Sequence, residues 1–136
     1  MSETGTLSAR KVVGFAAIVE IGAGLVLIID PAIVVKLLLG LEVSSEGTLI
    51  GRCFGMAALA LGLACWPGRQ GTEGGSSAFR AILTYNVLIG LYLVYLGTVG
   101  HLHGLLLWPG VGLHAAVVLL LIWTRRTVRP MERTKP

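Results

Sequence analysis

The sequence predicts an all-α integral membrane protein: a four-helix bundle with both termini in the cytoplasm and a short interfacial segment after the first helix. Three observations predict it. Of the 136 residues, 54% are hydrophobic and only 13% charged, about half the charged share of an average soluble domain. The apolar residues gather into four runs, each close to the length that crosses the hydrocarbon of a bilayer. Nine of the eleven Lys and Arg residues fall on one side of the four-run pattern. Those nine are Arg10, Lys11, Arg69, Arg80, Arg125, Arg126, Arg129, Arg133 and Lys135. Such a bias places that side in the cytoplasm. Only Lys36 and Arg52 fall near the opposite surface.

The first span runs from about Val12 to Ile29 and stops at Asp30-Pro31, a turn signal that ends a helix. Its eighteen residues cover roughly 27 Å at 1.5 Å each. Arg10-Lys11 ahead of an apolar run imitates a secretory signal, but the run is long and lacks a small-x-small cleavage site. It is therefore expected to stay as the first helix. Residues 32–41, AIVVKLLLGL, are too short to span and contain Lys36. They read as an interfacial or re-entrant segment on the outer surface or, equally well, as an apolar flap over the bundle.

The second span runs from about Leu49 to Trp66 and stops at Pro67-Gly68. The GRQGTEGGSS stretch that follows reads as a flexible, solvated cytoplasmic loop. The third span runs from about Phe79 to Val99. Pro109 interrupts the fourth, Leu105 to about residue 124, which starts either at Leu105 or, as a short helix, near Pro109, since Pro is tolerated in a first turn. Trp66 and Trp123 are placed at the cytoplasmic interface and Trp108 at the outer one, as an aromatic belt requires. Residues 125–136 form a basic cytoplasmic tail, so the chain is one four-span domain without a soluble one.

Charge and cysteine usage narrow the function classes. A formal charge of +4 and a pI near 9.5 do not imply nucleic acid, because no basic face interleaved with aromatics is present. Anionic headgroups are the expected counterpart of the RRTVRPMERTKP tail. Cys53 and Cys65 lie twelve residues apart on one helix, about 18 Å along its axis. A disulfide needs Cα atoms within roughly 7 Å, so they do not pair, and both read as buried structural thiols. There is no CxxC for thiol exchange or metal binding.

The candidate site consists of polar residues at bilayer depth, which normally face the bundle and have partners. Glu20, Asn86 and His114 come to similar depths, and Arg52 has a side chain long enough to reach inward from the outer side. Ala16, Glu20 and Gly24 recur every four residues, as do Gly51 and Gly55, and Ala58 and Gly62, marking stripes for close helix contact. Asn86 shares a face with Gly90 and Gly97. Tyr85 and Tyr92, seven residues apart on the third span, are candidates for an aromatic ligand slot, against a plainer role in packing and interfacial anchoring. The functional reading is a polar pocket for a headgroup, a small polar molecule, a quinone or a proton. The plainer reading pairs Glu20 with Arg52 or His114 to set helix register, with Asn86 as an interhelical donor. His101 and His103 are at most half of a metal site. No Ser–His–Asp arrangement, phosphate loop or HExxH is present, so no catalytic residue is assigned.

The GFAAIVEIGAGLVLIIDP opening, RCFGMAALALGLACWP, LTYNVLIGLYLVYLG and VGLHAAVVLLLIW together resemble small bacterial four-helix membrane proteins of the DoxX-like type. The resemblance covers about residues 12 to 124. It implies an integral protein of the bacterial cytoplasmic (inner) membrane, and for some members an association with thiosulfate–quinone chemistry or oxidoreductase partners. No cofactor is required by the residues, and a quinone is the one the resemblance suggests. Three functions stay open: a non-catalytic subunit that binds a membrane partner or a second copy of itself, a quinone-linked redox component using the polar cluster, and a small oligomeric transporter. The first is the expectation carried forward.

Overall fold

The computed structural model describes residues 3–67 and 77–128. Arg69, Arg129, Arg133 and Lys135, the loop before Ser77 and the basic tail beyond Val128 lie outside the described residues. The described chain is all-helical: α1 (Glu3–Ile29), α2 (Pro31–Leu39), α3 (Ser45–Ala64), α4 (Ser77–Thr98) and α5 (Leu107–Val128). Among the described residues, four stretches are long and apolar enough to cross a membrane: Arg10–Ile29, Ser45–Ala64, Ser77–Thr98 and Leu107–Arg126. Large apolar side chains such as Ile18, Leu49, Leu91 and Leu119 are exposed. A helix apolar on its outer face as well as its inner one has lipid as its solvent. This is a multi-pass helical membrane protein.

Two boundaries have local causes. α3 starts before the expected Leu49 because Ser44 caps it, its Oγ accepting the Gly47 N–H at 3.1 Å. α5 starts at Leu107, two residues ahead of Pro109, and is 22 residues long rather than short. Pro109 sits in its first turn, where no intrahelical N–H is missed.

α1 and α3 pack antiparallel at backbone contact. A Cβ on Gly24 would stand 2.6 Å from Leu59 N and 2.7 Å from Gly55 O, and one on Gly62 would stand 2.8 Å from Ala17 O. Only glycine fits where backbones approach this closely. α4 and α5 form the second antiparallel pair, with Gly97 against Leu107 and Trp108 and Gly90 against His114. At the end where α1 begins, Val13, Ala16, Cys65, Phe79, Ile82, Val117 and Leu121 make the apolar core.

α2 closes the opposite end. Asp30 caps it by accepting the Ile33 N–H at 3.2 Å, and Gly40 ends it in the left-handed region at φ 74°. Near that end the carbonyl of Leu37 accepts the N–H of Leu106 at 2.8 Å, across to the α4–α5 connection. Gly104 lies so close to the Leu38 backbone that a Cβ there would collide with it. α2 is thus docked on the bundle, as the flap reading expects, while Ile33, Leu37 and Leu41 stay exposed. Lys36 Nζ meets Glu42 Oε1 at 2.7 Å on the exposed side.

Candidate functional site

Three helices bring polar groups together near mid-depth. Glu20 lies ten residues beyond Arg10, about 15 Å along α1, and Asn86 nine residues beyond Ser77, about 13 Å along α4. His114 lies seven residues past Leu107, about 10 Å from the opposite end. Glu20 and Asn86 are each 2% exposed, and His114 and Tyr85 are half-buried.

Asn86 is the hub. Its Nδ2 donates to the Ile82 carbonyl at 2.9 Å, one turn back on its own helix. That fixes the amide so that Oδ1, 2.8 Å from His114 Nδ1, accepts across the α4–α5 seam. In the neutral ring Nδ1 therefore carries the proton and Nε2 the lone pair. Nε2 has no hydrogen-bond partner among the described residues. The Tyr85 ring meets the His114 ring edge-on, with centroids 6.4 Å apart at 66°. Tyr85 and Asn86 are also the two polar side chains that act on the Glu20 carboxyl. Its Oε1 is nonetheless buried with no partner among the described residues. Burying such an oxygen costs about 1–3 kcal/mol, so the cluster is not a closed set of mutually satisfied groups.

Between α4 and α5 lies an open groove of about 220 Å³. Gly90 and Val94 of α4 and Val111, Ala115 and Val118 of α5 line it, and Asn86 is its one polar lining residue among those described. A Cβ on Gly90 would meet only His114 Cβ, at 3.4 Å. The groove thus reaches the cluster at Asn86, while Glu20, Tyr85 and His114 do not line it.

Of the sequence candidates, the structure brings Glu20, Tyr85, Asn86 and His114 together and leaves two outside. Arg52 is exposed on α3, beside a lipid-facing row that includes Leu49 and Met56. It forms no ion pair among the described residues, so it is not the partner of Glu20. Its position along the helix is suitable and its direction around the helix is not. Tyr92 is 58% exposed and stacks on Tyr95 at 6.3 Å and 16°, away from the cluster. Cys65 is buried, donating to the Ala78 carbonyl at 3.6 Å, but Cys53 is exposed, so only one of the two thiols is a core residue. His101 and His103 are exposed in the α4–α5 connection, and no group of three metal-ligating side chains forms among the described residues. His101 has a backbone role instead. Its φ of 51° reverses the chain so that the Leu102 N–H reaches the Leu96 carbonyl at 3.1 Å. The groove itself escaped the sequence reading, since aliphatic residues carry no chemical signature. The only hint is Gly90, one turn from Asn86.

Comparison with protein-family models, with curated proteins and with solved structures finds no match to this chain.

Proposed function

We propose that the chain is a DoxX-like protein of the bacterial cytoplasmic membrane, with both termini inside, acting as a non-catalytic accessory or partner-binding subunit. Its α4–α5 groove receives a lipid-soluble molecule with a polar head. One observation carries the reading: an open groove ends on Asn86, whose neighbours His114 and Glu20 each keep an unused hydrogen-bonding atom. A hydroxyl head can donate to such acceptor atoms while an apolar tail lies along Gly90 and Val94. For the orientation, support comes from Arg10, Lys11, Arg80, Arg125 and Arg126, which share the end where α1 begins.

The test is native mass spectrometry on protein released from native membranes. Wild type is expected to carry a co-purified lipid-soluble molecule. Gly90→Leu, which fills the groove, and His114→Gln or Glu20→Gln, which change its polar end, are expected to lose it with the fold kept. A wild type that carries nothing, or variants that keep the molecule and lose only stability, would overturn the reading in favour of a register-setting cluster.

A quinone-linked redox component is the second reading. It is favoured by the Tyr85 hydroxyl, the Glu20 carboxyl and the His114 ring, three groups able to exchange protons within one hydrogen-bonded cluster beside the groove. Displacement of the bound molecule by a short-tailed benzoquinone, and by no fatty acid, separates this reading from the first.

A further inference from the structure

A second groove, of about 550 Å³, lies at the other side of the bundle, where α1 enters the membrane beside the end of α3. It is lined by Arg10, Lys11, Phe15 and Ile18 of α1 and by Trp66 and Pro67 after α3. Its floor is a close contact: a Cβ on Gly14 would stand 3.2 Å from Pro67 Cγ, so the bare glycine lets the two segments meet.

The groove is chemically two-sided. Arg10 and Lys11 supply two exposed cations at its mouth. The acidic side chains the structure describes are Glu20, Asp30, Glu42 and Glu46, and none of them lines it. Neither cation forms an ion pair among the described residues. Below them Phe15 and Ile18 are about half exposed, at 48% and 56%. The same face of α1 continues to Gly22, where an added Cβ would meet nothing within 4 Å. From Lys11 to Gly22 this open apolar strip runs about 16 Å into the membrane. Trp66, 54% exposed, flanks the boundary between the charged and apolar parts, where indole side chains are favoured.

We propose that this groove is a discrete site for one anionic phospholipid, with its phosphate-bearing head between Arg10 and Lys11 and an acyl chain along Phe15, Ile18 and Gly22. The two cations match the head, and only a molecule with a long apolar tail uses the strip beneath them. The site differs from a general attraction to the basic carboxy-terminal end. Arg125 and Arg126 are exposed at the same end of the bundle but do not line the groove.

The test is native mass spectrometry of the full chain from nanodiscs holding equal phosphatidylglycerol and phosphatidylcholine. Wild type is expected to retain one phosphatidylglycerol in preference to phosphatidylcholine. Each lost cation is expected to cut that preference roughly fivefold, so R10Q/K11Q loses most of it. R125Q/R126Q, which removes the same charge outside the groove, is expected to keep it. Gly22→Leu, which obstructs the strip, is expected to shorten retention without changing the charge. All these side chains are exposed, and an unchanged unfolding transition confirms that the variants fold. Equal loss from both arginine-containing pairs, no preference in wild type, or full displacement of the lipid by millimolar inorganic phosphate would each overturn the proposal. The first two outcomes point to diffuse attraction or none, and the third to a site for free phosphate.

Discussion

Asn86 Oδ1 and His114 Nδ1 meet at 2.8 Å across the α4–α5 seam, and this contact ties the groove-lining Asn86 to a half-buried imidazole on the neighbouring helix. It is an interhelical hydrogen bond in a medium that offers no competing water. Such bonds contribute about 0.6 kcal/mol on average and at most about 1.7.

A double-mutant cycle with Asn86→Leu and His114→Leu should therefore give a coupling energy within that range. Unfolding of the purified protein in mixed micelles measures it. A value indistinguishable from zero would show that the two residues do not act as a pair.

Replacing Glu20 separates shape from acceptor capacity. Glu20→Gln keeps an oxygen for the Tyr85 hydroxyl and the Asn86 amide, and is expected to stay within about 1 kcal/mol of wild type. Glu20→Leu removes the acceptor beside the half-buried Tyr85 hydroxyl and leaves the Asn86 amide only the Ile82 carbonyl, and is expected to lose about 1–3 kcal/mol. If leucine proves as stable as glutamine in the same unfolding assay, those donors have other partners.

The glycines divide by what surrounds them. Gly24→Ala and Gly55→Ala force backbone apart at the α1–α3 seam and should each cost about 1–3 kcal/mol. Gly22→Ala and Gly112→Ala meet open space and should be neutral or gain up to about 1 kcal/mol through helix preference. Thermal unfolding of the four variants is enough to rank them, and equal losses would contradict the seam.

His101 holds a left-handed backbone conformation that costs a side-chain-bearing residue about 1 kcal/mol or more. His101→Gly should remove that cost and raise stability, whereas His101→Val should lower it. A drop for glycine would mean that the imidazole has a role beyond the turn.

The Lys36–Glu42 pair makes a prediction in pH. Glu42, through its hydrogen bond and its charge, raises the Lys36 ammonium above its ordinary value of 10.5. A raised lysine contributes its stability below the unfolded value and loses it as pH climbs through the folded one. The pair is fully exposed, and salt screens such pairs. Lys36→Gln should consequently lower stability only slightly and by a constant amount from pH 6 to 9, and that small difference from wild type should vanish at strongly alkaline pH, where the pair is lost.

The sequence revealed depth better than direction. Helix rise is fixed, so counting residues from the charged ends brought Glu20, Asn86 and His114 to one level, and the structure joins them. Rotation around a helix depends on which stripe its neighbours cover. Gly55, Ala58 and Gly62 mark the covered stripe of α3, and Arg52 lies off it, which counting along the helix could not reveal. Tyr85 and Tyr92 share a heptad spacing, yet the neighbouring helix α5 covers only the first. Apolar length placed the four spans, but the Ser44 cap moved the start of α3, and the Pro109 first turn settled α5. The two grooves lay beyond reach for different reasons. One is built from unmarked aliphatics, and the other joins Arg10 and Lys11 to a tryptophan more than fifty positions away.

The docking of α2 bears on the order in which the molecule is assembled. The Leu37 carbonyl, near the end of that short helix, is answered by the N–H of Leu106, which the ribosome makes almost seventy residues later. Until the turn at Gly104 exists, α2 can rest on α1 and α3, but its Leu37 carbonyl must find water or headgroups instead. Closure of that end is therefore a late step, when the second helical hairpin latches onto the first.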